Sequence, residues 1–457
     1  MNVVRASVWL PNLTRRNGPL YLRIAEALAE ARARGDLQPG DRLPSQRDLA
    51  KRLGVDLTTV SRAFAEARRR NHIDAAPGRG TFVTLGGPEE PILDLSMNIP
   101  PAPAGLSLPT LIREGTDGLL KRSSADALLS YHPGPGSPAE RAAGSVWLST
   151  SADRLPIDRI AVGAGAQTLL AAVLTSRARE GDVLLTDELT YPGVIALAQA
   201  MKRRLVSIET DDSGMCPDRL AKAARAHDAR LVYLNPCLHN PTTLVVPENR
   251  RRELIKVARR LQLTIIEDDP YSPLLSERVP SFLSLAPDIT FHVATLAKSV
   301  SPFLRTAFLV APDAETLEAI TNQLRSLSLM APPLMTALAA EWIRSGTADE
   351  IAEGVRRESA KRQALAAKLL PVNDRGGEGF HIWLPLVSGQ NATDIVEKAR
   401  QQGLAVSGAQ EFAATSQAPE AIRVAIGAIS DRKQLERAFR SLAGILKPPA
   451  KSKATVV

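Results

Sequence analysis

Thr264-Ile-Ile-Glu-Asp-Asp-Pro-Tyr271 reads as a short covered strand that ends abruptly in charge. The β-branched residues at its start fit a pleated, packed surface. Glu267, Asp268 and Asp269 then follow one another directly before Pro270. In open α/β sheets ligands bind at the carboxyl ends of the strands; an exposed acidic turn is the plain alternative. Similar runs lie on either side. Arg159-Ile-Ala-Val162, Val183-Leu-Leu-Thr186, Arg204-Leu-Val-Ser-Ile208 and Leu231-Val-Tyr-Leu234 precede it, and Phe308-Leu-Val310 follows. All are expected to be buried strands, and helical blocks separate most of them. The pattern predicts a doubly wound α/β domain. Beyond about residue 340, Phe380-His-Ile-Trp-Leu384 and Ile422-Arg-Val-Ala-Ile426 alternate like strands of a smaller α+β unit.

The first 85 residues differ in kind. They hold 15 Lys or Arg against 8 Asp or Glu, a surplus of +7, out of a net +8 for the whole chain of 457 residues. A small segment with nearly all the excess positive charge has the footprint of nucleic-acid binding. Leu20, Ile24, Ala27 and Leu28 fall on one helical face. After the turn Gln38-Pro-Gly-Asp41, a second helix starts beyond Pro44, with Ser45 as its N-cap. Gly54-Val-Asp56 breaks it, and a third helix runs from about Leu57 to Arg70. Pro77-Gly-Arg-Gly-Thr-Phe-Val83 then reads as the hairpin of a wing. Two helices joined at a glycine turn and followed by a hairpin predict a winged helix-turn-helix, the second helix of the pair entering the major groove. The turn-rich stretch 86–93 is read as a linker between 1–85 and 94–447, and 448–457 as a loose tail.

Cys216 and Cys237 are the only cysteines, and the six histidines show no metal-ligand spacing, so neither a disulfide framework nor a metal site is expected. No run of 18 apolar residues occurs. A cytoplasmic chain without membrane attachment is expected.

Four stretches carry the chemistry of the large domain. Gly163-Ala-Gly-Ala-Gln167 is a glycine turn at a helix start, where backbone N–H groups can hold a phosphate. Asn240-Pro-Thr-Thr243 follows the strand LVYL, and the acidic strand end comes next. Ala294-Thr-Leu-Ala-Lys-Ser-Val-Ser-Pro-Phe-Leu-Arg305 places one lysine among small and apolar residues, with an arginine seven positions on. Each alone has an ordinary structural explanation. On one sheet they fit a pyridoxal 5′-phosphate site. An amine is needed to form a Schiff base with the aldehyde. A carboxylate is needed for the pyridine nitrogen, a hydroxyl and an amide for the ring oxygen, and an arginine with backbone N–H groups for the phosphate.

Residues 155–312 resemble the fold-type I, aspartate-aminotransferase-like enzymes. The resemblance implies Lys298 as the Schiff-base lysine and Asp268 as partner of the pyridine nitrogen. It implies Tyr271 and Asn240 on the ring oxygen, and Tyr191 stacked on the ring. Ala166, Gln167, Thr295 and Arg305 would hold the phosphate, and Tyr131 would reach it from a neighbouring subunit. Arg423 would grip a substrate or effector carboxylate. Departures from the family pattern fall at Glu140-Arg141, Thr243, Ala297 and Phe303. They bear on catalysis and affinity.

Residues 18–83 resemble the GntR-family winged helix, through PLYLRIAEAL, LQPGDRLPSQRDLAKRLGV, TTVSRAF and GRGTFV. That likeness implies DNA contacts from Arg47, Thr58, Thr59, Arg62, Arg79 and Gly80. Both modules in this order, with Asp94-Leu-Ser-Met-Asn-Ile-Pro-Pro101 at the junction, resemble the MocR subgroup of GntR regulators. The implied protein is a regulator that binds double-stranded operator DNA. Its cofactor, as an aldimine with an amine or amino-acid effector, would control that binding. The implied assembly is a homodimer, head-to-tail with swapped DNA modules. An active aminotransferase carrying a DNA-binding module is the other reading.

Overall fold

A computed structural model describes residues 9–13, 18–70, 72–76, 80–84, 92–122, 128, 130–149, 155–372 and 377–447. The chain divides into two compact units, Met1–Ile92 and Leu93–Val457. The expected tail, 448–457, and most of the expected linker lie outside the described residues.

In the first unit, helices α1 (Leu20–Ala33), α2 (Gln46–Leu53) and α3 (Leu57–Arg69) precede an antiparallel hairpin of β1 (Ile73–Ala76) and β2 (Gly80–Val83). Ser45 Oγ accepts from the Asp48 backbone N–H at 3.1 Å and so starts α2. Gly54 stops it at φ +65, a left-handed conformation that favours glycine. Ser61 Oγ donates to Gln46 Oε1 at 2.7 Å and pins α3 to α2. Ile24, Leu28, Leu49, Val60, Phe64, Ile73 and Val83 form the shared core. Each such side chain contributes about 1.5–3 kcal/mol by leaving water. Arg32 is buried and bonds the His72 and Thr84 carbonyls at 3.3 and 3.0 Å, tying α1 to both ends of the hairpin.

The second unit is built on a seven-stranded sheet. Its strands are β3 (Ile160–Gly163), β4 (Val183–Asp187), β5 (Arg204–Ile208), β6 (Leu231–Leu234), β7 (Thr264–Asp268), β8 (Thr290–Thr295) and β9 (Ala307–Val310). Their spatial order is β3-β9-β8-β7-β6-β4-β5. The sheet is mixed: β9 runs antiparallel to both neighbours, and the other pairs are parallel. Most of its strands are buried throughout, as packing of both sheet faces requires. The expectation of a buried strand fails at Arg204–Ile208. β5 is the sheet edge, Arg204 is exposed, and only Ile208 is buried.

The reversed β9 decides where the site lies. Its first residue, Ala307, is in register with Thr295 at the end of β8 and with Gly163 at the end of β3. Asp268 at the end of β7 pairs with Val293. The glycine turn, the strand-end acid and the segment before β9 therefore share one end of the sheet's strands. A smaller antiparallel sheet, ordered β10-β12-β11, consists of β10 (His381–Pro385), β11 (Ser407–Gly408) and β12 (Ala421–Ala425). Buried Arg362, on helix Thr347–Leu369, donates to the Ile426 and Ile429 carbonyls at 2.8 and 2.6 Å and fixes the chain leaving β12. Leu93 and Asp94 pair in parallel with Leu404 and Ala405, and the Ala425 N–H donates to the Leu95 carbonyl at 2.7 Å. The segment Leu93–Pro101 is thus laid along the small sheet. Gly427 permits this, because a Cβ there would lie 1.8 Å from the Ile99 carbonyl oxygen.

Candidate functional site

Lys298, Asp268, Asn240, Tyr271, Tyr191, Ala166 and Thr295 line one cavity, together with Asn235 and Pro270. Its enclosed space is about 50 Å³, so an aromatic ligand requires these side chains to give way. Two larger hollows, of about 650 and 620 Å³, lie elsewhere on this unit.

Asp268 is buried at the end of β7. Its Oδ2 accepts from Tyr233 Oη at 2.6 Å, and its Oδ1 has no hydrogen-bond partner among the described residues. Burial raises its pKa to about 6, against the Tyr233 hydrogen bond, which lowers it. Lys298 is half-buried, and its Nζ donates to the Asn98 carbonyl. Burial, then the Arg423 charge, lowers its pKa to about 8. Tyr271 is buried, and its hydroxyl accepts from Asn98 Nδ2 at 2.8 Å. Asn240 Oδ1 accepts from Arg423 Nη1 at 2.8 Å, and the Asn240 N–H donates to Asn235 Oδ1 at 2.8 Å.

Gly165, at φ +100, turns the chain from β3 into helix α4 (Ala166–Arg177), whose first residue lines the cavity. Arg305 lies against Gly165 and donates to the Ala164 carbonyl at 2.9 Å. Its own backbone is left-handed, at φ +47, a conformation sparsely used by residues with side chains. Thr295 Oγ1 accepts from the Ala297 N–H at 3.2 Å. Gln167 Nε2 donates to the Gly193 carbonyl at 2.9 Å. A Cβ at Gly193 would come within 2.3 Å of the Tyr191 ring, so glycine is what admits that ring.

Arg423, on β12, is buried, with its guanidinium 4.7 Å from the Phe412 ring centroid and an Nη2 bond to the Ser96 carbonyl. Tyr131 does not line the cavity and is 77 % exposed. Asn98, Tyr233, Asn235 and Phe412 are the contributors that sequence reasoning missed. Tyr233 reads as an apolar strand position. Asn235 follows that strand directly, so the Leu231–Leu234 strand end carried the signal.

In the N-terminal unit, Arg47, Thr58 and Arg62 are exposed and Thr59 is half-buried. The Arg62 guanidinium also sits 4.6 Å from the Tyr21 ring centroid. Gly80 is half-buried at φ +116, and a Cβ there would come within 2.9 Å of Arg42 Nε. Arg79 lies outside the described residues.

Residues 90–442 match the family profile "Aminotransferase class I and II". The chain belongs to the class I and II aminotransferase family. Residues 20–83 match "Bacterial regulatory proteins, gntR family", so the chain joins a GntR-type DNA-binding domain to an aminotransferase-like domain. It is 28 % identical over 457 residues to the HTH-type transcriptional regulator YdeF of Bacillus subtilis (strain 168), covering 96 % of each chain. To the HTH-type transcriptional regulator TauR of Rhodobacter capsulatus it is 26 % identical, over 86 % of this chain and 90 % of that one. The crystal structure of LysN, an alpha-aminoadipate aminotransferase from Thermus thermophilus, superposes with a TM-score of 0.70 at 24 % identity. It covers 78 % of this chain and 92 % of LysN. The aminotransferase-like fold is that of a pyridoxal 5′-phosphate-dependent family. The donor set fits that cofactor: an unpartnered buried carboxylate oxygen, a lysine amine lining the same cavity, and a helix N-terminus with an arginine beside it. Among the described residues no helix is long and apolar enough to cross a membrane.

Proposed function

We propose that this DNA-binding transcription regulator senses a small amine or amino acid at a pyridoxal 5′-phosphate held by Lys298. The observation that carries the reading is the orphaned Asp268 Oδ1 in the cavity that Lys298 lines. A buried carboxylate oxygen left without a donor is costly unless a ligand supplies one. When bound, the cofactor supplies an electrophilic aldehyde and an electron-withdrawing ring.

The protein's own residues do the rest. Asp268 holds a proton on the ring nitrogen, and Lys298 offers an amine whose lowered pKa leaves more of it nucleophilic near neutrality. Asn240 and Tyr271 hold the ring oxygen, and Tyr191 covers the ring. Ala166, Gln167, Thr295 and Arg305 surround the phosphate, and Tyr131 of a second copy reaches it. Arg423 takes the effector's carboxylate once it leaves Asn240. The Asn98 and Ser96 carbonyls, which hold Lys298 and Arg423, lie on the segment that follows Ile92. A ligand that draws either side chain away therefore alters that segment. Coupling free energies of about 1–3 kcal/mol change DNA affinity by roughly 5–150-fold. The regulator acts as a cytoplasmic homodimer on duplex operator DNA, head-to-tail with swapped DNA modules.

The test pairs two readouts on one sample. The cofactor is titrated by absorbance, with and without candidate amino acids, and affinity is measured for duplexes selected from a random library. We expect a Lys298-dependent absorbance band and an amine-dependent change in DNA affinity. Sustained transamination at ordinary enzymatic rates, with DNA affinity unmoved by the amine, would overturn the proposal in favour of an enzyme.

A further inference from the structure

Behind the cofactor cavity lies a separate hollow of about 620 Å³, within the range of small-molecule pockets. Asn235 lines both spaces, so the hollow is one side chain away from the Asp268 end of β7. Its walls mix apolar groups, such as Leu189, Leu244 and Val246, with the acids Asp187, Glu188 and Asp212.

Asp187 is the residue without an explanation. It ends β4, is 8 % exposed, and lines the hollow. Its carboxylate accepts no hydrogen bond from the described residues. The nearest cationic candidate is His239 Nε2, 3.7 Å from Asp187 Oδ2 and beyond hydrogen-bond reach. His239 is itself 6 % exposed, bonds Thr242 Oγ1 through Nδ1 at 2.8 Å, and lies against the Leu189 backbone; its Nε2 makes no hydrogen bond within normal geometry among the described residues. The neighbouring acids are differently placed. Glu188 accepts from the Thr210 N–H and hydroxyl at 3.1 and 3.2 Å, and Asp211 is held by Arg250 at 2.9 Å.

We propose that this hollow is a second small-molecule site, and that it takes an aliphatic amine in its ammonium form, with the nitrogen on Asp187 and the chain along the apolar wall. A carboxylate that opens only to the hollow and accepts no hydrogen bond from the described residues asks for an external cation, and the apolar wall asks for a hydrocarbon body. A metal ion is the poorer occupant. Among the described residues no three His, Cys, Asp or Glu side chains converge to hold one. The electrostatics agree. Burial lowers the His239 pKa to about 4, so the imidazole is neutral at pH 7 and does not neutralise Asp187. Burial, then Glu188, raises the Asp187 pKa to about 7, a cost that a bound ammonium relieves. The proposal is independent of the regulatory reading above, since it requires neither DNA nor chemistry at Lys298.

The experiment uses the full chain loaded with pyridoxal 5′-phosphate and reduced with borohydride, so that no aldehyde remains for an amine to attack. Pentylamine and pentan-1-ol are titrated calorimetrically. Pentylamine is expected to bind one per chain, at least about tenfold more tightly than the alcohol. Asp187→Asn is expected to bring it down to the level of the alcohol. Equal binding of amine and alcohol, or amine binding untouched by Asp187→Asn, overturns the assignment. Should Asp187→Asn fail to fold, a crystal of the wild-type protein soaked in pentylamine decides. Nitrogen density within hydrogen-bond distance of Asp187 supports the site, and density elsewhere refutes it.

Discussion

Replacing Lys298 by methionine should make the cofactor-free protein more stable at neutral pH. The amine has a pKa of about 8 in the folded state, against 10.5 for an ordinary lysine. The folded protein therefore binds fewer protons than the unfolded chain between those values. Stability rises with pH across that window, and the full cost is present below pH 8. At about 1.4 kcal/mol per pH unit, the cost at pH 7 is about 3 kcal/mol. At pH 10 only about 1 kcal/mol of it remains. Methionine is unbranched and adaptable, so packing changes little. The substitution also strips the Asn98 carbonyl of its donor, which returns about 1 kcal/mol of destabilisation. The net expectation is a gain of about 2 kcal/mol at pH 7 that is nearly gone at pH 10. Equilibrium urea unfolding followed by tryptophan fluorescence reads this directly, because Trp147, Trp342 and Trp383 all lie in the large unit. A Lys298→Met protein no more stable than wild type at pH 7, or equally stabilised at both pH values, refutes the claim that this amine is held at an electrostatic cost.

Asp268→Asn should fail to retain the cofactor absorbance band through dialysis, while its near-ultraviolet dichroism stays native. Arg62→Ala should weaken duplex binding and flatten the slope of log affinity against log salt by about one, read by fluorescence anisotropy from about 50 to 200 mM salt. The same change removes the cation from above Tyr21 and should cost the DNA-binding unit about 0.5–1 kcal/mol in denaturant unfolding. Gly427→Ala should abolish cofactor loading yet leave DNA binding measurable, since its Cβ would collide with the Ile99 carbonyl and dislodge the segment that carries Asn98.

The legibility of the site followed chain-local chemistry. Lys298, Asp268, Asn240 and Tyr271 each stand in a short stretch with an unusual residue at a strand end, and they line one cavity. Gly54 marked the end of a helix because glycine adopts φ +65 without strain. The contributors that escaped depend on long-range register. Asn98 meets Tyr271 across 173 positions of sequence, and no periodicity announces such a contact. Tyr233 looks apolar along its strand; its hydroxyl matters only because β6 lies beside β7. Arg204–Ile208 read as interior because its residues suit a strand, and composition does not tell a strand whether it has a neighbour on both sides.

The stretch from Leu93 to Pro101 makes the two units harder to separate than their compactness implies. A truncation intended to free the larger unit from its DNA-reading partner has almost no slack. Each residue of extended chain spans about 3.3–3.6 Å, and Asn98 lies only five positions beyond Leu93, the first residue of that unit. Start the fragment beyond Asn98, and the carbonyl that accepts from the Lys298 amine leaves with the discarded piece. Over those residues the start of the larger unit and the backing of its lysine are the same length of backbone.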